Sequence, residues 1–254
     1  ADTPSPEGGS VGMTAGQPDG RLYDNAMELL EGGVWAVFVE GVCDGQRYKY
    51  CIVGADGRQI LKADPFAAYS QTCGETASMV WTEHPYPWTD GDYLRARAAR
   101  NFMTSPMSIY EVHPGSWREL EGDIHYRNLA DALAEYCSDM GYTHVELMPV
   151  MEHPLDNSWG YQCTGFFSPT ARFGTMDDLK YFVDHLHRNG IGVIMDFVPV
   201  FFASVSYGLL RFDGTPLYEY PNNDVSYSEW GSPNFNHSRC EVQSFLQSCA
   251  CYWL

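Results

Sequence analysis

From Ser108 onward, an apolar run gives way to an amphipathic helix three times in succession. The runs cover residues 108–112, 143–148 and 191–197. They are apolar rather than alternating, which indicates strands of a parallel sheet covered on both faces. The first helix spans about 128–140, with Leu129, Leu133, Tyr136, Cys137 and Met140 on one stripe and Gly141 past its end. The second starts at Thr175, with Asp178 placed to complete a capping box. Its stripe is Leu179, Phe182, Val183 and Leu186, and Gly190 stops it. The third runs from about 241, through Val242, Phe245, Leu246, Cys249 and Trp253, and reaches Leu254 uncapped. A closed barrel of this kind takes eight units and about 250 residues. Residues 107–254 hold three, so the expected architecture is an incomplete (β/α) barrel.

The chain before the barrel reads differently. Residues 33–39 form an apolar run, and 47–53 place Tyr48, Tyr50 and Ile52 opposite Arg47 and Lys49. A turn at 54–57 returns the chain as 59–62, and 78–81 is a further short strand. Closely spaced strands without helices predict a small β-sandwich over 30–82. Residues 1–29 are expected to be a poorly ordered or degraded start of it, and 83–106, with Pro85, Pro87, Asp90 and Gly91, a linker.

Bulk properties narrow the partners. Fifteen Lys and Arg against 33 Asp and Glu give a net charge of −18, which disfavours nucleic acid and anionic membranes and suits a neutral substrate. No apolar run reaches the roughly 18 residues of a membrane span, and the first twenty residues lack an apolar signal core. Eight cysteines are scattered without a C-x-x-C pair, which predicts free thiols in a reducing, cytoplasmic compartment. His185 and His187 lie two apart on one helix and point away from each other, so no metal site and no cofactor is expected.

Chemistry-bearing residues gather where the strands end. The second strand breaks at Pro149 into a loop holding Glu152, His153, Asp156, Trp159 and Tyr161. Asp196 closes the third strand. Loops at the C-terminal ends of parallel strands build barrel active sites. Each residue also has a plain structural reading. Tyr161 can be a packed phenol with a bonded hydroxyl, and Asp196 can cap nearby backbone. Glu146 more readily supports the barrel interior, while Glu152 and His153 order the loop. Trp35 and Trp81 suit core positions as well as sugar platforms.

Several strings resemble the α-glucan branching enzymes of the amylase superfamily. They are residues 108–117 (SIYEVHPGSW), 143–154 (THVELMPVMEHP), 159–167 (WGYQCTGFF), 172–175 (RFGT), 191–199, 211–219 (RFDGTPLYE) and Trp230 with Gly231. Residues 33–81, with 62–67 (KADPFA) the clearest piece, resemble the carbohydrate-binding sandwich that precedes that family's barrel. The implied fold is multidomain β and α/β: an N-terminal carbohydrate-binding-module-like β-sandwich followed by the first three βα units of an incomplete TIM (β/α)8 barrel.

The implied chemistry is retaining transfer of an α-1,4-glucan segment to a 6-hydroxyl. This needs a nucleophilic carboxylate and an acid/base carboxyl about 5–5.5 Å apart. The resemblance puts those groups after the fourth and fifth barrel strands, outside these residues, so the chain alone is expected to be inactive. It assigns Tyr161 to stacking under the sugar, Asp196 to supporting the site, and leaves Trp159 as a glucan contact. Phe201 stands where the family has a histidine that donates to the sugar, and phenylalanine cannot donate. The implied partner is an α-1,4-glucan such as glycogen or amylose, with the oligomeric state open. Three readings follow: the N-terminal portion of a branching enzyme; a non-catalytic glucan-binding protein; or a half-barrel that pairs with another chain.

Overall fold

The computed structural model describes residues 10–15, 25–71, 75–118, 120 and 122–254, with 10–15 and Asn223 as backbone alone. The sandwich region contains β1 (Ser10–Ala15), β2 (Asn25–Ala26), β3 (Glu28–Leu29), β4 (Trp35–Ala36), β5 (Arg47–Val53), β6 (Gln59–Lys62), β7 (Tyr69–Ser70) and β8 (Ser78–Met79). Strand β5 is central. It pairs antiparallel with β1 from Ser10↔Val53 to Ala15↔Tyr48, and with β6 and β8. Within the stretch 1–29, the described residues include this paired strand β1 together with β2 and β3. Residues 1–9 and 16–24, and the thiol of Cys73, lie outside the described residues. The expected strand over 33–39 shrinks to the two residues of β4, because Phe38 is 87% exposed and has no core to enter.

The stretch expected as a linker carries α1 (Gly91–Ala99). It is fastened to the barrel. Thr89 donates through N and Oγ1 to the Asp184 carboxylate, both at 2.7 Å. Asp90 Oδ2 lies 2.7 Å from His187 Nδ1, and the His187 ring stacks on Tyr93 at 4.1 Å. The helix was hidden in the sequence because it has no apolar stripe and buries none of its residues.

The barrel portion runs β9 (Ile109–Val112), α2 (Tyr126–Met140), β10 (His144–Leu147), β11 (Met151–Glu152), β12 (Gly165–Pro169), α3 (Met176–Arg188), β13 (Gly192–Met195), α4 (Asn223–Ser226) and α5 (Cys240–Trp253). Strands β9, β10 and β13 form an open parallel sheet with β10 in the middle. His125 and Thr175 cap α2 and α3 in capping boxes closed by Asn128 and Asp178. Val112, Val145 and Leu147 face α2 and α3 and pack with Leu129, Leu133 and Phe182. The register puts Glu111, Glu146 and Ile194 side by side on the opposite, inner face, which Asp196 continues. A second core gathers Phe166, Phe202, Phe235 and Phe245.

Sandwich and barrel meet at one buried ammonium. Lys62, 1% exposed at the end of β6, donates Nζ to the carbonyl oxygens of Ser206 (2.7 Å), Gly208 (3.1 Å) and Leu210 (2.6 Å). Ala63 N–H donates to Tyr207 O at 2.8 Å. Phe66 reaches across to pack on Phe167 at a tilt and on Phe245 edge to face, with ring centres 5.1 and 5.3 Å away. Burial pulls the Lys62 pKa down to about 8, against the pull of Glu219 and Asp213. At neutral pH it keeps three N–H groups, one for each carbonyl. We expect Lys62→Met to strand those carbonyls at a cost on the order of 3 kcal/mol. Thermal unfolding should then occur roughly 6–12 °C lower; an unchanged melting temperature would show that the clamp contributes nothing.

Candidate functional site

The loop between β10 and α3 is held open at its base by a dense polar knot. Glu152 is buried, and its carboxylate accepts from Arg172 Nη1 at 2.8 Å and Ala171 N at 3.2 Å. Arg172 Nε also donates to Asp156 Oδ1 at 2.6 Å. Burial pushes Glu152 up from the usual carboxylate range, while Arg172 pulls it back. His153 is buried beside it with Nδ1 2.8 Å from Met151 O. A carbonyl only accepts, so Nδ1 carries the hydrogen. Burial lowers the imidazole pKa and favours that neutral ring. These groups are spent on shaping the loop.

The loop then turns through Trp159 and Gly160, both at positive φ. At Gly160 (φ +90°) an added Cβ would lie 2.0 Å from Pro149 O. Only glycine lets the loop lie directly on the end of β10. Cys163 Sγ, buried behind the turn, bonds to Gly160 O at 3.2 Å. This presses Tyr161 toward the third strand, where its hydroxyl donates to Asp196 Oδ2 at 2.8 Å. Burial, and then the Asp196 carboxylate, push the phenol up to about 12. The phenol therefore stays protonated at neutral pH and remains a donor.

The structure thus joins Tyr161 and Asp196 at the C-terminal end of the sheet. Trp159 is apart from them in its bonding and is 58% exposed, with its N–H on Asp156 O at 3.1 Å. Phe201 sits on the loop after β13, in an antiparallel bridge with Asn234 and with its ring 6.0 Å from Trp230. Glu146 and Glu111 are mid-strand on the inner face. His185 and His187 have separate partners, Asp131 and Asp90. Among the described residues no set of three His, Cys, Asp or Glu side chains is arranged to hold a metal. The seven described cysteines are unpaired. No described helix is long and apolar enough to cross a membrane. Two features escaped the sequence reading: the contact between Gly160 and Pro149, and the Trp230 neighbourhood of Phe201. The first had a signal, a glycine wedged between two aromatics directly after a strand-ending loop.

Residues 112–207 match the alpha amylase catalytic domain, and residues 14–67 match carbohydrate-binding module 48, the isoamylase N-terminal domain. The chain is 50% identical over 226 residues to the 1,4-alpha-glucan branching enzyme GlgB of Albidiferax ferrireducens, covering 87% of this chain and 36% of that protein. It is 48% identical over 240 residues to the GlgB of Methylococcus capsulatus, covering 93% of this chain and 32% of that one. It spans about a third of the length of these curated relatives. Among solved structures, the type I pullulanase of Bacillus subtilis superposes with a TM-score of 0.73 at 23% identity, over 97% of this chain and 38% of that one. The catalytic module of the pneumococcal glycogen-degrading virulence factor SpuA gives 0.74 at 20% identity, over 98% and 42%. These last two likenesses are of fold.

Two outcomes test the geometry. Gly160→Ala should destabilise the chain by on the order of 3 kcal/mol, read by chemical denaturation, because the backbone must retreat from Pro149. Tyr161 should titrate near pH 12 in phenolate absorbance. Its folded pKa exceeds the unfolded value of 10, so its contribution to stability is present below pH 10 and lost as pH rises toward about 12. Tyr161→Phe should flatten that part of the alkaline stability curve, and an unaltered curve would refute the assignment.

Proposed function

The chain belongs to the 1,4-alpha-glucan branching enzyme family of the alpha-amylase superfamily, and we propose that its Tyr161–Asp196 face grips an α-1,4-glucan within that family's chain-transfer reaction. The observation that carries this reading is the 2.8 Å bond from Tyr161 to Asp196 at the mouth of the parallel sheet. The phenol ring offers an apolar face to the C–H side of a pyranose. Its hydroxyl fixes the Asp196 carboxylate as an acceptor for sugar hydroxyls, and Gly160 sets the height of the ring over the strand end. Trp159, with its exposed indole, adds a second apolar contact further out. The −18 charge agrees with a neutral polymer as ligand.

Bond exchange with retention needs two carboxyl groups facing each other across the glycosidic oxygen. Among the described residues, the carboxylates near the site do not face each other in that way. Glu152 is locked to Arg172, and Glu111 and Glu146 lie within the strands rather than at their ends. Asp196 has Tyr161 as its partner, which suits a binding and orienting role. We therefore read residues 1–254 as a glucan-recognising portion of the catalytic architecture, silent in transfer when alone. The 254-residue chain should retard in a native gel containing glycogen yet form no α-1,6 linkages on amylose. Tyr161→Ala should weaken glycogen retention about five- to tenfold. New branch points formed by the isolated chain, or no retention at high glycogen concentration, would overturn this reading.

A further inference from the structure

The parallel strands all begin at the end of the sheet opposite Tyr161 and Asp196. The segment joining α1 to β9 covers part of that end. Arg100, the C-terminal cap of α1, donates its guanidinium to Pro106 O. Asn101 organises the turn between them. Its Oδ1 accepts from Met103 N at 3.0 Å, and its carbonyl accepts from Thr104 N at 3.2 Å and Ser105 N at 3.0 Å. Ser108 and Thr143 then bond in both directions, Ser108 N to Thr143 Oγ1 and Thr143 N to Ser108 O, each at 2.9 Å. The turn is thereby tied to the short stretch between α2 and β10.

A turn fastened at so many points still holds apolar side chains out in water. Met103 is 93% exposed, and Phe102 and Met107 are exposed beside it in the chain. Ile109, at the start of β9, and Met140, at the end of α2, are exposed at the same end of the sheet. One exposed apolar residue is ordinary, but a group of them at one place marks a contact surface. Three of these residues are methionines, whose unbranched, polarizable side chains mould to a partner.

The charges near this patch fall into two opposite sets. Arg97 lies exposed in the last turn of α1, one turn before Arg100. Glu135 and Asp139 lie exposed one turn apart on α2. Asp139 is in the last turn of that helix, where the free carbonyls already carry partial negative charge, and no basic residue accompanies it there. Among the described residues, Arg97 and Arg100 have no carboxylate within ion-pair distance, and Glu135 and Asp139 have no cation. A cation brought to Asp139 from outside relieves its unfavourable position. Arginines in an otherwise acidic chain of net charge −18 are where another acidic surface can approach.

We propose that this end of the sheet is a homodimer interface. A second copy of the chain docks across a two-fold axis, with the methionine patches meeting at the centre. Arg97 and Arg100 of each copy face Glu135 and Asp139 of the other. A two-fold contact uses the same patch on both copies and so must be self-complementary. An apolar patch flanked by one unpaired basic set and one unpaired acidic set meets that requirement. The interface is independent of the glucan reading, because it lies at the opposite end of the sheet from Tyr161 and Asp196.

Sedimentation equilibrium of the 254-residue chain tests this, for wild type, Arg97→Glu, Asp139→Arg and Met103→Ala. Wild type should form dimers, and each variant alone should dissociate at about tenfold higher concentration or more, with circular dichroism unchanged. In a one-to-one mixture of Arg97→Glu with Asp139→Arg, both contacts again join opposite charges, so wild-type affinity should return. Met103→Ala removes a side chain that packs against almost nothing, so a folding defect does not account for its effect. If all three variants dimerise as wild type does, association runs through another surface, such as an open strand edge, and the proposal is wrong. A mixture that fails to restore affinity overturns the charge pairing. A wild type that stays monomeric up to its solubility limit overturns the dimer and leaves the patch to an acidic segment of a different protein.

Discussion

One buried ammonium organises the two halves of this chain. Lys62 Nζ satisfies three carbonyls of the 206–210 segment, which belongs to the loop after β13. That segment has no sheet to join, so its carbonyls need donors from elsewhere. The sandwich supplies them, together with Phe66 against Phe167 and Phe245. The sandwich is thus a structural partner of the loop that carries Phe201, as well as a module matching carbohydrate-binding proteins. Tertiary hydrogen bonds across a sequence separation of more than 140 residues fix where the outer loop lies.

The site depends on an equally local constraint. Gly160 lies against Pro149, and this contact sets where Tyr161 meets Asp196. The knot of Glu152, Arg172 and Asp156 braces the same loop from below. These contacts hold in place the surface that we propose grips a glucan. Preorganised stacking and a fixed acceptor lower the ordering cost of binding a flexible polymer.

Much of this was legible in the residues. The capping box at Thr175, the stripes of α2 and α3, and the apolar parallel strands follow from periodicity and cap chemistry, and the structure has them within two residues, whereas the box that His125 and Asn128 form at the start of α2 was not read from the sequence. Asp196 was legible because strand ends are where barrel chemistry sits. Other parts were not. Helix α1 has no apolar face, since it is held by Thr89, Asp90 and Tyr93 reaching α3, and periodicity carries no trace of such bonds. The strand expected over 33–39 failed because apolar residues there have no opposing layer. Lys62 reads as a surface lysine in a hairpin; only the distant loop makes it a core residue. Trp230 and Phe201 are 29 positions apart, and nothing in either neighbourhood announces their meeting.

We propose that these residues hold a glucan without being able to exchange its bonds. The direct measurement is intact mass after incubation with a fluorinated maltosyl fluoride, a reagent that traps glycosyl–enzyme esters. An unchanged protein mass is expected at every reagent concentration. A stoichiometric gain of one maltosyl unit on any carboxylate of residues 1–254 would contradict it.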